Sequence, residues 1–156
     1  MQLEKTRVRS IVEHQKDNVF VPNRSLGLFC FEQNINQYLS LYPYYYEENP
    51  NKEEGYGFDS YDFYTLGMSV WTTSEGIIKS IKCDEYCYWH DVNIIGLQYK
   101  KFKEMFNIKP DNEEICYMLS GHMKSQHVYE FDSIGLQLWT WYGKIRTVIA
   151  CRLPDD

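Results

Sequence analysis

Several things are scarce in this sequence, and each scarcity closes off a class of function. Basic charge comes first: 16 Lys and Arg stand against 22 Asp and Glu, a net charge of −6. Phosphate repels a chain of that sign, so a basic protein partner suits it better than nucleic acid. No apolar run approaches the roughly 20 residues of a membrane-spanning helix. No basic cluster flanks an apolar stretch either, so no membrane partner is expected. The residues from Met1 to Arg9 lead into no apolar segment of the secretory kind, which points to a cytoplasmic protein. The five cysteines are Cys30, Cys83, Cys87, Cys116 and Cys151, an odd number whose spacings form no disulfide framework. Reduced, buried thiols are the expectation. Glycine-rich phosphate loops are missing, because Gly55-Tyr56-Gly57 lacks a third glycine and a strand-to-helix setting.

Two constellations could still carry chemistry. Cys83, Cys87 and His90 have the spacing Cys-x3-Cys-x2-His, and a metal would need a fourth ligand such as Asp84 or Asp91. Cys116 lies near His122 and His127, as a thiol nucleophile and its base would have to in space. Zinc sites announce themselves with paired ligand motifs, and no nucleophile-elbow pattern surrounds Cys116 or any serine. The expectation is therefore a protein that is not an enzyme, with no catalytic residue, no cofactor and no metal ligand. A cysteine- or metal-dependent enzyme built on these residues is the alternative.

What is abundant is aromatic. Tyr alone occurs 14 times, beside 8 Phe and 4 Trp. Tyr buries its ring while its hydroxyl stays wet, which suits a half-buried sheet face or a recognition surface.

The chain also matches itself. Residues Tyr61 to Cys83 align without a gap on Tyr129 to Cys151 at an offset of 68, with eight identities in 23 positions. These are Tyr61/Tyr129, Phe63/Phe131, Gly67/Gly135, Trp71/Trp139, Thr72/Thr140, Ile77/Ile145, Ile81/Ile149 and Cys83/Cys151. A one-residue slip at the turn would also pair Gly76 with Gly143. Upstream, Leu26-Gly27-Leu28 corresponds to Ile95-Gly96-Leu97 at offset 69, and Pro43 to Pro110 at offset 67. Repeats of this length are single structural units that bury their apolar faces against each other.

Within each unit the periodicity changes. Phe31, Ile35, Tyr38, Leu39 and Tyr42 fall on one helical face, as do Tyr99, Phe102 and Phe106; Pro43 and Pro110 end these helices. Met68, Val70 and Thr72, then Leu136, Leu138 and Thr140, alternate with period two and form the core face of strands. Trp71, Trp139 and Trp141 fall on the other face, which could instead carry a ligand. Ser74-Glu75-Gly76 and Tyr142-Gly143-Lys144 are hairpin turns. Thr6 to Glu13 reads as a further strand. The expected fold is α+β: one domain over 1–156 with an internal repeat at 25–83 and 93–151. Each copy is a helix plus antiparallel strands, and together they make one antiparallel sheet with the helices on one face.

The order of these elements, with Tyr-x-Phe-x-x-Leu/Ile-Gly-x-x-Val/Leu-Trp followed by Gly-x-Ile-x-x-Ile, resembles small bacterial proteins with tandem helix-plus-sheet repeats. The beta-lactamase inhibitor protein is of this kind. The chain also resembles the small acidic immunity proteins encoded beside bacterial toxins. That resemblance implies a protein that binds a cognate toxin domain, plausibly a nuclease, and blocks its active site.

One segment fits such a role. Between Tyr44 and Asp62 lie Glu47, Glu48, Glu53, Glu54, Asp59 and Asp62 against Lys52 alone, a local charge of −5. Carboxylates steer the encounter with a basic cleft, and interleaved aromatics supply anchors. The expected partner-binding residues are Tyr45, Tyr46, Glu47, Glu48, Glu53, Glu54, Tyr56, Asp59, Asp62 and Trp71.

Overall fold

The computed structural model describes residues 18–116 and 126–153. Thr6 to Glu13 and His122 lie outside the described residues. Thirteen strands and one α-helix make up the regular structure there. Three short strands open it: β1 (Phe20–Val21), β2 (Ser25–Leu26) and β3 (Phe29–Cys30), paired in that order. A meander follows, with β4 (Tyr45–Glu47), β5 (Asp59–Phe63), β6 (Met68–Thr72) and β7 (Ile78–Cys83). The hairpin β8 (Tyr88–Trp89) and β9 (Val92–Asn93) leads to the helix α1 (Tyr99–Phe106). A second meander closes the chain: β10 (Asn112–Cys116), β11 (Gln126–Phe131), β12 (Leu136–Trp141) and β13 (Lys144–Cys151).

The two meanders form one eight-stranded antiparallel sheet, in the order β10-β11-β12-β13-β7-β6-β5-β4. Its last-made strands therefore meet in the middle and its first-made strands are the two edges. The central pairing is self-complementary. Val148 faces Cys83, Ile149 faces Lys82 and Ala150 faces Ile81. In the pairing of each meander Val148 holds the place of Ile81, and Ala150 that of Cys83. The register is thus symmetric about the Ile149–Lys82 pair, as an isologous contact must be.

This corrects the α+β expectation. The described residues are mostly β, and no tandem helix-plus-strand unit occurs among them. Only the second half holds an α-helix among the described residues. There, Tyr99, Phe102 and Phe106 share one face and strong helix formers fill the rest, until Asn107 stops the helix in the left-handed region. The corresponding stretch of the first half, Phe31 to Tyr42, folds as a 3-10 turn at Ile35–Gln37 followed by further i→i+3 turns. Phe31, Ile35 and Tyr38 are buried and Leu39 and Tyr42 half-buried, so the apolar period still faces inward, while Leu41 is exposed. Its backbone is claimed elsewhere: Glu32 N–H donates to Ile78 O, and Ile35 N–H to Gly76 O. Asn34, Asn36 and Ser40 are poor helix formers, and the Asn34 side chain caps Asn36 N–H, favouring the tighter turn.

The alignment of the halves also changes at the hairpin turn. Thr72 pairs with Ile78, and Thr140 with Ile145. The offset is 68 on β6 and β12 but 67 on β7 and β13. The ladder shifts register at the same place in both halves, after Trp71 and after Trp139. A one-residue difference moves a side chain to the other face. Ile81 is accordingly fully buried while Ile149 is half-buried, and Cys83 matches Ala150 rather than Cys151. Upstream, Phe31 N–H bonds to Arg24 O as Ile94 N–H bonds to Cys87 O, an offset of 63 that replaces the 69 expected there.

Met68, Val70 and Thr72 and their counterparts Leu136, Leu138 and Thr140 are buried, as are Ile78, Ile81, Ile145 and Val148. The hairpins and α1 cover this face, and one cluster of buried side chains runs through both halves. Trp71 and Trp139 are half-buried on the opposite face.

Gly67 and Gly135 test the packing at equivalent positions. Both are in the left-handed region, at φ of +64° and +62°. A Cβ on Gly67 would meet the Glu85 side chain, whereas one on Gly135 would run into the backbone carbonyl of Cys151. Each alanine substitution costs about 1–2 kcal/mol for the backbone conformation alone. Gly135→Ala is expected to cost at least about 1 kcal/mol more than Gly67→Ala, because β13 must shift. Urea unfolding of the two variants gives the difference.

Candidate functional site

The sequence places an acidic, aromatic segment between Tyr44 and Asp62, and the fold puts it on an edge of the sheet. β4 is an outer strand, and its three residues are all exposed. Tyr45 pairs with Asp62, Tyr46 with Tyr61, and Glu47 with Ser60. Ser60 pairs in turn with Trp71. Opposed residues in an antiparallel pair share a face. Tyr45, Glu47, Asp62 and Trp71 therefore lie on one side of the sheet, with Tyr46 and Asp59 on the other. Glu48, Glu53, Glu54 and Tyr56 belong to the loop between β4 and β5.

That loop is held in one shape. Asn49 N–H donates to Asp59 Oδ1 at 2.8 Å, and Asn49 Nδ2 donates to Tyr56 O at 2.8 Å. Asn49 Oδ1 accepts from Asn51 N–H at 2.9 Å. Gly57, at φ +93°, lets the Asn49 amide lie where a Cβ would be. Lys52 Nζ meets Glu48 Oε1 at 3.0 Å, one turn along the chain. Asp59 is only 7% exposed, so its carboxylate organises the loop from beneath. A loop ordered before binding avoids the entropy of ordering it later.

The aromatic rings form a tier that reaches the core. Tyr45 packs on Tyr64 with centroids 4.7 Å apart, and Tyr46 on Tyr61 at 4.9 Å. Tyr44 bridges Tyr61 and Phe63, and Phe63 lies 4.8 Å from Phe29. Burial, then the Asp59 carboxylate, pushes the Tyr46 hydroxyl above its ordinary value. It thus stays protonated and able to donate. Tyr45 is 68% exposed and Tyr56 62%. Tyr44, Phe58 and Tyr64 extend the same surface. Phe58 is the residue that sequence reasoning missed; its place beside Gly57 in a polar loop was the available signal. Exposed Tyr, Phe and Trp are otherwise rare: among the described residues only Tyr142 lies outside the stretch from Tyr44 to Tyr64.

The ionic pattern is uneven. Glu48 is spent on Lys52, while Glu47, Glu53 and Glu54 have no ion-pair partner among the described residues. The opposite edge, β10, carries Glu113 and Glu114 but no aromatic residue. The two edges of an otherwise symmetric sheet thus differ in the feature that recognition uses.

The cysteine and histidine constellations come apart. Cys83 and Cys87 are fully buried, while His90 sits exposed in the β8–β9 turn at φ +49°, against Trp89 and Phe106. Burial pushes the Cys83 thiol up to about 11, and Cys87 well above its ordinary value. The Cys83 thiol bonds to Tyr86 O instead. Cys116 pairs with Gln126, and His127 with Ile115. Cys116 and His127 therefore face opposite sides of β10–β11. Among the described residues no group of three His, Cys, Asp or Glu side chains converges as metal ligands would. No helix there is long and apolar enough to cross a membrane.

No protein-family model, no curated protein and no solved structure matches the chain.

The buried thiols set a pH dependence. The folded state holds the Cys83 proton more tightly than the unfolded state does, with values of about 11 and 9.0. Stability from this group is whole below pH 9 and is lost as pH rises towards 11. Denaturant melts at steps across that range are expected to show the decline, and Cys83→Ala to flatten it. Cys83 and Cys87 are expected to resist a thiol reagent at pH 8 until the protein unfolds.

Proposed function

We propose that the protein is a cytoplasmic binding module of the bacterial immunity type, which docks a basic partner domain, plausibly a toxin nuclease, on its β4 edge and the β4–β5 loop. The observation that carries this reading is the coincidence of exposed aromatics with unneutralised carboxylates on one rigid edge. Tyr45 and Tyr56 are wide amphipathic anchors and Phe58 an apolar one, and Glu47, Glu53 and Glu54 add negative charge to the same edge and loop. Aromatic anchors inside a charged rim are the usual composition of a binding hot spot. Asp59, from below, keeps the loop in its docking shape, and Asp62 and Trp71 extend the surface along the sheet face.

The β4–β5 loop joins the outermost strand of the sheet to its neighbour, so the loop and the free edge can meet one partner surface. Acidic residues in a nuclease cleft would occupy the places of phosphates and compete with nucleic acid by charge.

The partner is sought by co-expression with the product of the adjacent gene. A stable complex at micromolar concentration is expected. Reversing Glu47, Glu53 and Glu54 to Lys should slow association at low salt by at least about tenfold and remove its salt dependence. Tyr45→Ala should speed dissociation with little effect on association. Association rates unchanged by the triple reversal would remove this edge from the interface.

A further inference from the structure

Hydrogen bonds elsewhere in the sheet fix which way the backbone of β4 points. Asp84 N–H donates to Gly67 O, and Thr73 N–H donates to Ile77 O. Ser69 and Trp71 therefore turn their backbone groups to β7, and Met68, Val70 and Thr72 turn theirs to β5, since the direction alternates along an antiparallel strand. Val70 pairs with Tyr61 and Tyr45 with Asp62, so the same alternation gives Tyr45 and Glu47 the bonds to β5. The N–H and C=O of Tyr46 then point away from the sheet, and neither has a hydrogen bond among the described residues.

Edges are ordinarily blunted by a lysine, a proline or a bulge. β4 carries none of these, and its register on β5 is unbroken. Its protection is shortness: it has three residues, between Pro43 and Pro50. Shortness limits how long a strand can be added, but a single residue of another chain is enough to take both outward groups of Tyr46. Tyr46 is 50% exposed, so nothing among its neighbours closes the approach.

The two sides of this edge call for different side chains. Glu47 and Asp62 are exposed on one side, with Tyr45. Tyr46 and Tyr61 pack together on the other, with centroids 4.9 Å apart. In an added strand the residue opposite Tyr46 falls on the tyrosine side and its two neighbours on the acidic side. The fitting pattern is base–apolar–base. A base opposite Glu47 pairs with that carboxylate, and one opposite Tyr45 lies over its ring on the side of Asp62. β10 has no such division, because Glu113 and Glu114 are adjacent and face opposite sides. A second copy of this chain lacks the pattern as well: turned antiparallel about Tyr46, it sets Tyr45 against Glu47 and brings another segment with a charge of −5.

We propose that the protein partner binds by adding a strand to β4, through an extended segment of the pattern Lys/Arg–apolar–Lys/Arg whose middle residue exchanges N–H···O=C bonds with Tyr46. This rests on the reading of the β4 edge as the docking surface, and it adds the form of the partner there: an edge strand or an extended tail, not a helix. The backbone bonds supply affinity, and the alternating side chains select the sequence.

Three disulfide-closed hairpin peptides test this. The first carries Arg-Val-Arg on its outer strand, with the valine N–H pointing outward. The second carries Glu-Val-Glu there. The third is the first with that valine N-methylated, which blocks the outward N–H and leaves the hairpin's own bonds intact. Amide chemical-shift titration of the protein with the first peptide is expected to saturate, with shifts at residues 44–47 and 59–62 and slower solvent exchange at the Tyr46 amide. The glutamate and N-methyl peptides are each expected to bind at least about tenfold more weakly. Glu47→Lys, checked for folding by thermal unfolding, is expected to lower the preference for arginine over glutamate at least about tenfold. Equal binding of the N-methyl peptide with the same shifts overturns strand addition and leaves the edge as a docking surface reached by side chains alone. No saturation with the first peptide by about 10 mM overturns strand addition too. The docking reading is then judged separately, by the co-expressed partner and the triple reversal.

Discussion

The antiparallel contact between β7 and β13 joins two four-stranded sheets, and most other features of the molecule depend on it. Neither meander alone could bury Ile81, Cys83, Val148 and Ala150, because those residues lie on the strands that would otherwise be edges. A free edge exposes a row of backbone donors and acceptors that invites pairing with other chains. Here each half supplies that edge to the other. The self-complementary register also explains why the two halves can share one strand pattern. Any sequence that fits one side of the joint fits the other after a half-turn.

Central pairing of this kind leaves β4 and β10 as the outer strands, and there the symmetry ends. β10 is short of aromatics, and β4 is followed by a loop stitched by Asn49. On the covered face, one half uses a three-residue 3-10 helix and further turns where the other uses α1, and Arg24 is exposed where Cys87 is buried in the other half. Duplicated frameworks diverge where stability tolerates it. The strands of the joint cannot change independently, whereas an edge loop or a covering segment can. The sites with the most functional promise are therefore the places where the halves differ.

The cysteines illustrate how far sequence spacing can mislead. Cys83, Cys87 and His90 are close in the chain, yet the thiols point into the core while the imidazole lies on a turn outside it. Cys116 and His127 lie on neighbouring strands, and alternation sends their side chains to opposite faces. Proximity along a chain fixes neither direction nor depth. Burial is the main cause of the elevated Cys83 and Cys87 thiols, with nearby groups adding to it, and it marks these cysteines as packing residues.

The residues alone determined the period-two strands, their buried and open faces, the two hairpin turns and the offset near 68. Each rests on local chemistry: alternation, glycine at turns and apolar spacing. They also marked the Tyr-rich acidic segment, since charge and aromatic density need no coordinates. Tertiary structure decided the rest. It chose 3-10 turns over an α-helix at Phe31 to Tyr42, because the amides of Glu32 and Ile35 bond to the β7 hairpin rather than within a helix. It decided between the ungapped alignment and the one-residue slip that pairs Gly76 with Gly143, because a bulge costs nothing in local pattern yet reverses every face beyond it. It placed Asp59 under the loop rather than on its surface. It also set Val148 against Cys83 and Ala150 against Ile81 across the joint, a proximity that no local pattern encodes.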